Sequence, residues 1–151
     1  MGSGEEVRVS LLSDEQLFAV AKLEKLCFSE PWSAESLSIL TRDGGFGVGI
    51  WLGDELLAYG GMTTVLDEGA VTNIACDPAL RGRGYGRQIL RALLREAEMR
   101  GIETVFLEVR ESNLAAKNLY ESEGFVACGV RKNFYRLPAE SAIQMVWHAK
   151  E

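Results

Sequence analysis

The stretch NIACDPALRGRGYGRQIL, residues 73–90, joins an apolar run to an amphipathic one through a loop of glycine and arginine. Ala70 to Cys76 reads as a strand that Asp77-Pro78 stops. From Gln88 to Arg100, QILRALLREAEMR puts Ile89, Leu90, Leu93, Leu94 and Ala97 on one side and Arg91, Arg95 and Glu98 around the rest, the pattern of a surface helix. Gly101 suits its C-terminal end. A loop such as RGRGYG between strand and helix points successive backbone N–H groups at one spot, where the helix dipole favours an anion. Gly84 and Gly86 let phosphate oxygens approach without a Cβ in the way. The loop is not a Walker motif, since no Gly-Lys-Ser/Thr follows, and Ile89 stands where a dinucleotide fingerprint needs its third glycine. A flexible basic turn is the plain alternative.

Downstream, VFLEVR (Val105 to Arg110) has the β-branched and aromatic content of a strand buried on both faces. Glu108 within it is costly unless paired, hydrated or used. Ser112-Asn113 caps a helix from Leu114 to about Glu123, which Gly124 closes. Phe125–Val130 and Ala142–Trp147 form a final hairpin around a long connection, RKNFYRLPAES. Upstream, VRVSLL is a first strand, and Ser13 with Gln16 makes a capping box for a helix through about Leu26. Leu17, Val20, Ala21 and the Leu23/Leu26 region supply its apolar side. Pro31 breaks the chain, and Ser33 caps a short second helix ending before Asp43-Gly44-Gly45. Phe46–Leu52 and Glu55–Val65 are strands joined at Gly53-Asp54, and Asp67-Glu68-Gly69 makes the next turn.

The order β-α-α-β-β-β-α-β-α-β-β is α+β: one domain over 7–151, with a mixed sheet of about seven strands flanked by about four helices on both faces. The unit around the glycine loop is expected to be a right-handed parallel crossover. Residues 1–6, beginning MGSG, read as a cloning remnant or disordered start.

Composition narrows the chemistry. Sixteen basic against 22 acidic residues leave a formal charge of −6, which disfavours direct nucleic-acid binding and tolerates a basic peptide. No apolar run approaches membrane-span length, so a cytoplasmic protein with no membrane contact is expected, as monomer or weak dimer. Cys27, Cys76 and Cys128 form neither a disulfide framework nor a zinc pattern and read as buried reduced thiols. His148 is the one histidine and stands three residues from the C-terminus, which nearly excludes a Ser-His-Asp triad or a multi-histidine metal site; no metal is expected. Chemistry must rest on carboxylates, tyrosine, backbone amides or a cosubstrate.

The segment from Asn73 to Leu90, with R-x-x-G-x-G at Arg81, Gly84 and Gly86, resembles the acetyl-CoA motif of the GNAT acetyltransferases. LEVRESNLAAKNLYESEGF, FSEPWS and RKNFY extend the resemblance to the RimI branch, protein N-terminal alanine acetyltransferases acting on the eighteenth small-subunit ribosomal protein. It covers Val7 to Trp147. The resemblance implies acetyl-CoA as cosubstrate, its pyrophosphate on the amides of Gly82, Arg83, Gly84, Tyr85, Gly86 and Arg87. It lays the pantetheine arm along Ile74, Ala75 and Cys76, and gives Asn113 a contact with the coenzyme beside its capping role. Glu108 matches the family's general base, Tyr120 its general acid twelve residues on. Arg131, Asn133, Phe134 and Tyr135 then border the peptide groove opposite FSEPWS, and Glu35 is a candidate for a basic second substrate residue. Phe134 departs from the tyrosine frequent there.

The residues themselves leave other readings open: Glu108 as the ion-pair partner of Arg110 or Arg131, Tyr120 as a core aromatic, a lysine or small amine as acceptor, or a non-catalytic acetyl-CoA-binding module.

Overall fold

A computed structural model describes residues 6–150; the MGSG start lies outside them. The elements run β1 (Val7–Leu11), α1 (Leu17–Cys27), α2 (Ala34–Leu37), β2 (Gly45–Leu52), β3 (Glu55–Val65), β4 (Glu68–Cys76), α3 (Tyr85–Met99), β5 (Thr104–Arg110), α4 (Leu114–Ser122), β6 (Val126–Arg136) and β7 (Ala139–His148). Seven strands make one sheet in the order β1-β2-β3-β4-β5-β7-β6. Every neighbouring pair is antiparallel except β4 and β5, the two strands α3 connects. Two apolar clusters cover the faces. One packs α3 and α4 on the sheet through Ile89, Leu93, Val105, Leu107 and Phe125. The other packs α1 and α2 through Val20, Leu23, Leu37 and Tyr59.

Local signals explain most boundaries. The Ser13–Gln16 capping box forms, and its first turn is a 3-10 turn before α1 proper. Ser33 accepts from the Ser36 amide at the start of α2. Gly53-Asp54 is the two-residue turn between β2 and β3. At Gly60 a Cβ would meet Ile89 Cγ2 at 2.5 Å, so a bare backbone there lets α3 lie close on the sheet.

Five expectations change. β5 is not buried on both faces: Val105, Leu107 and Val109 point into the core, while Phe106, Glu108 and Arg110 alternate onto a half-open face. The strand is covered by helices on one side only near Glu108, because the other side opens into a cavity. The long connection RKNFYRLPAES is itself strand: β6 runs to Arg136, β7 starts at Ala139, and the turn is Leu137-Pro138. Two register shifts along β6, one of them spanning Arg131 to Tyr135, hid that strand from a strict alternation. The β3–β4 turn is Leu66-Asp67, with Glu68 and Gly69 already paired in β4. Within α1, Leu26 is 58% exposed and the buried place falls to Glu24. Cys128 is exposed on β6, while Cys27 and Cys76 are half-buried.

Candidate active site

β4 and β5 pair only through Glu68–Ala70 and Thr104–Phe106. Beyond Ala70 the strands part, because β4 carries an extra residue at Thr72-Asn73 opposite β3 and twists away. A parallel pair that opens at its C-terminal ends leaves a wedge, and a cavity of about 630 Å³ occupies it. Val71 to Ile74 of β4 and Leu107 to Arg110 of β5 form its two sides. Phe28, Glu30 and Trp32 line it from the α1–α2 connection, and Phe134, Tyr135 and Leu137 from the β6–β7 hairpin. Ser29 Oγ donates to the Leu137 carbonyl, tying these two segments together.

In the parted half of β4, the Asp77 N–H donates to the Leu57 carbonyl at 2.9 Å. Alternation along an extended chain turns the Ala75 N–H to β3 as well and sends those of Ile74 and Cys76 into the gap. The Cys76 carbonyl confirms this orientation, since it accepts from Cys27 Sγ at 3.3 Å rather than from β3. Burial pushes both Cys27 and Cys76 thiols up, against the pull of Arg81, so neither is a thiolate nucleophile.

The glycine loop lies at the end of β4. Gly82 and Gly84 take φ of +83° and +85°, a left-handed conformation suited to glycine, and a Cβ on either would point into open space. Among the described residues, no amide from Arg81 to Arg87 donates to a backbone or side-chain acceptor. Tyr85, Gly86 and Arg87, expected in the loop, are instead the first turn of α3. Their N–H groups are the free ones that any helix start presents. A run of free amides at the head of a 15-residue helix is a donor set matched to phosphate oxygens. The residues therefore fit the pyrophosphate of acetyl-CoA. The Arg87 side chain turns away to Ser122 and Glu123, and Arg91 reaches Glu123 at 2.8 Å. Both arginines hold Glu123 below the usual carboxylate range, Arg91 most strongly, and fasten the head of α3 to the end of α4.

Glu108 and Tyr120 line the same cavity. Glu108 keeps 24% of its side chain exposed, and Arg131 Nε stands 3.5 Å from its Oε1. The burial expected of it is absent. It lies on the cavity wall, open in part to water. Tyr120 packs against Phe125 with ring centroids 5.9 Å apart. Burial, then the Tyr135 phenol, push it up to about 12, and its hydroxyl has no hydrogen-bond partner among the described residues. Tyr135 stands beside both: burial raises it, the Arg110 guanidinium 4.2 Å over its ring lowers it, and the Glu108 charge raises it again. Arg110 also donates to the carbonyls of Leu137 and Pro138 at 3.1 and 2.9 Å, holding the hairpin turn over the cavity.

Of the residues singled out from sequence, Glu108, Tyr120, Ile74, Asn113, Phe134 and Tyr135 reach the cavity wall. Asn113 also caps α4, accepting from the Ala116 amide at 3.1 Å. Ala75 turns its side chain into the α1 cluster. Glu35 is not on the wall; Glu30 is. Sequence reading missed Glu24, which is wholly buried and bonded to Trp32, Tyr59 and Asn73. Its signal was a carboxylate beside Leu23 in the buried helical stripe that continues to Cys27.

The acetyltransferase (GNAT) family matches residues 17–125. The ribosomal protein bS18-alanine N-acetyltransferase of Salmonella typhimurium (strain LT2) is 38% identical over 127 residues, 84% of this chain and 86% of its own. A putative bS18-alanine N-acetyltransferase of Bacillus subtilis (strain 168) is 31% identical over 133 residues, 87% and 88% of the two chains. Among solved structures, the ribosomal-protein-S18-alanine N-acetyltransferase from Escherichia coli superposes with a TM-score of 0.89 at 33% identity, over 97% of this chain and 96% of that one.

Proposed function

This chain belongs to the GNAT acetyltransferase family, and from that membership we propose that it transfers the acetyl group of acetyl-CoA to the N-terminal alanine amine of ribosomal protein bS18. The observation that carries the chemistry is the convergence of a carboxylate and an unpartnered, protonated phenol on one wedge between parted strands. The names and coverage of the bS18-directed relatives carry the acceptor.

The free amides of Gly82, Arg83, Gly84, Tyr85, Gly86 and Arg87 hold the pyrophosphate, and the pantetheine arm lies in the gap beside Ile74 and Cys76, near Asn113. The inward N–H groups of Ile74 and Cys76 polarise the thioester carbonyl and receive the negative oxygen of the tetrahedral intermediate. An α-amino group has a pKa near 8, so roughly 10% is neutral at pH 7. Its nitrogen attacks the thioester carbon while Glu108 accepts the amine proton. The C–S bond then breaks, and Tyr120 gives its proton to the departing thiolate. Transfer is direct, amine to thioester, with no acyl-enzyme. The reaction belongs to the cytoplasm, where ribosomal proteins emerge.

The test is coenzyme A release from acetyl-CoA with three peptides: a free N-terminal Ala-Arg peptide, the same peptide pre-acetylated, and a lysine peptide with a blocked N-terminus. Turnover is expected on the first alone, and Glu108→Gln is expected to lower it about 100-fold or more. Turnover on the blocked lysine would move the acceptor to a side chain. Tight acetyl-CoA binding with no turnover on any peptide would replace the enzyme by a binding module.

A further inference from the structure

Glu24 of α1 is 0% exposed, and no cation lies within ion-pair distance of it among the described residues. A carboxyl group so placed is destabilising unless its oxygens are satisfied. Three donors satisfy them. The Trp32 main-chain N–H donates to Oε1 at 2.8 Å. Asn73 Nδ2 donates to Oε2 at 2.9 Å, and the Tyr59 hydroxyl donates to the same oxygen. Glu24 itself is not part of the cavity wall, but two of its three partners are. Trp32 stands on the α1–α2 connection, the acceptor side. Asn73 sits in the bulge at which β4 leaves β5, the acetyl-CoA side.

We infer that Glu24 is a positioning residue that sets the acceptor wall against the acetyl-CoA wall: one oxygen holds each wall, and the carboxyl group fixes the spacing between them. The inference rests on the transfer reaction proposed above. An apolar residue of similar size would fill the space and supply neither contact. The arrangement also explains why a carboxylate, and not an amide, occupies the site. A carboxamide has one accepting end, whereas Trp32 and Asn73 both donate, from opposite ends. In Glu24→Gln the amide oxygen keeps the side with two donors, Tyr59 and Asn73, so its NH₂ faces the Trp32 N–H and the acceptor wall is released.

The experiment compares Glu24→Gln with Tyr59→Phe, which removes one donor and leaves both wall contacts intact. Steady-state constants are measured for acetyl-CoA and for the Ala-Arg peptide, with thermal melts and amide hydrogen exchange on the same samples. Losing a hydrogen bond to a charged group is worth tenfold or more, so Glu24→Gln is expected to raise the peptide KM at least about tenfold. The acetyl-CoA KM is expected to stay within about threefold, since the free loop amides are untouched. Amides of the segment from Phe28 to Trp32 are expected to exchange faster while β2 and β3 stay protected. Tyr59→Phe is expected to lower Tm and leave the two KM values in their wild-type ratio. The inference is overturned if Glu24→Gln changes both KM values by one factor in step with Tm, or changes neither. Should wild type acetylate no peptide, the reaction fails and the exchange data decide: loosening of 28–32 in Glu24→Gln alone sustains the positioning role, and equal loosening in both variants, or none, overturns it.

Discussion

The two walls of the wedge are made of different material. The β4–loop–α3 wall presents main-chain amides on elements locked into the core, where Ile89, Leu90 and Leu93 are wholly buried. The opposite wall presents side chains on elements that bury little: along β6 every residue but Tyr135 is exposed, and α2 is a single turn of helix. In the proposed reaction, a cosubstrate common to many reactions is met by backbone, which side-chain substitution leaves largely in place. The proposed acceptor is met by side chains on an edge hairpin and a short connection, which can change without disturbing the sheet. Edge strand β6 bears this exposure because its register shifts interrupt the flat ladder that another chain would pair with.

Tyr120 lines the wedge from α4, and its removal is the severest test of the division. If its phenol serves the departing thiolate alone, Tyr120→Phe lowers kcat about 100-fold and leaves both KM values near wild type. A raised acetyl-CoA KM with unchanged kcat would instead make Tyr120 part of the binding wall. A second readout is independent of turnover. Burial first, and the Tyr135 phenol second, raise Tyr120 to about 12, so the folded state holds this proton more tightly than the unfolded chain does. That contribution to stability is complete below the ordinary phenol pKa of about 10 and is lost as the pH rises towards the folded value. Between these limits the Tm of wild type is expected to fall more steeply than that of Tyr120→Phe.

A smaller effect tests the backbone wall. Gly84 has φ of +85°. An alanine there costs about 1–2 kcal/mol in left-handed conformation, and its Cβ enters the space a phosphate would use. Gly84→Ala is expected to raise the acetyl-CoA KM about tenfold, equivalent to 1.4 kcal/mol, and to leave the peptide KM unchanged. A rise in the peptide KM alone would reverse the assignment of the walls.

The same division decides what was legible in the sequence. The glycine loop, the amphipathic stripe of α3 and the Gly53-Asp54 turn are local signals: each rests on residues adjacent in the chain, and each emerged in its expected place, with α3 starting at Tyr85 and so shortening the loop. Glu108 and Tyr120 could be singled out because a carboxylate within a strand and a motif at fixed spacing are also local, and both lie on the cavity wall. The parting of β4 from β5 is not, since it depends on one extra residue opposite β3 and a partner that ceases to pair. Glu24 carried a sign of burial in its place beside Leu23 in the helical stripe, but its role was hidden for a related reason. Its three donors come from residues 32, 59 and 73, and nothing near Glu24 in the chain announces them. The β6–β7 hairpin was shortened in reading because Asn133, at φ of +55°, and its neighbours break the period of two.

The smallest effect tests the side-chain wall. Phe134 is 44% exposed, so truncating it removes little from the core. It meets Tyr135 edge to face at 5.0 Å and 88°, and the Arg131 guanidinium lies 5.8 Å from its ring centre. Arg131 is also the partner of Glu108. Phe134 thus steadies Tyr135, on the cavity wall, and Arg131, beside Glu108, both on the side proposed for the acceptor. An aromatic pair of this kind is worth about 0.5–1.5 kcal/mol, so Phe134→Ala is expected to raise the peptide KM by about twofold to tenfold. Its Tm is expected to stay close to wild type, and its acetyl-CoA KM to stay unchanged. If the acetyl-CoA KM rises equally, the two walls are coupled through more than Glu24. If kcat falls with both KM values constant, the Arg131–Glu108 pair, released from its aromatic support, governs proton acceptance rather than acceptor binding.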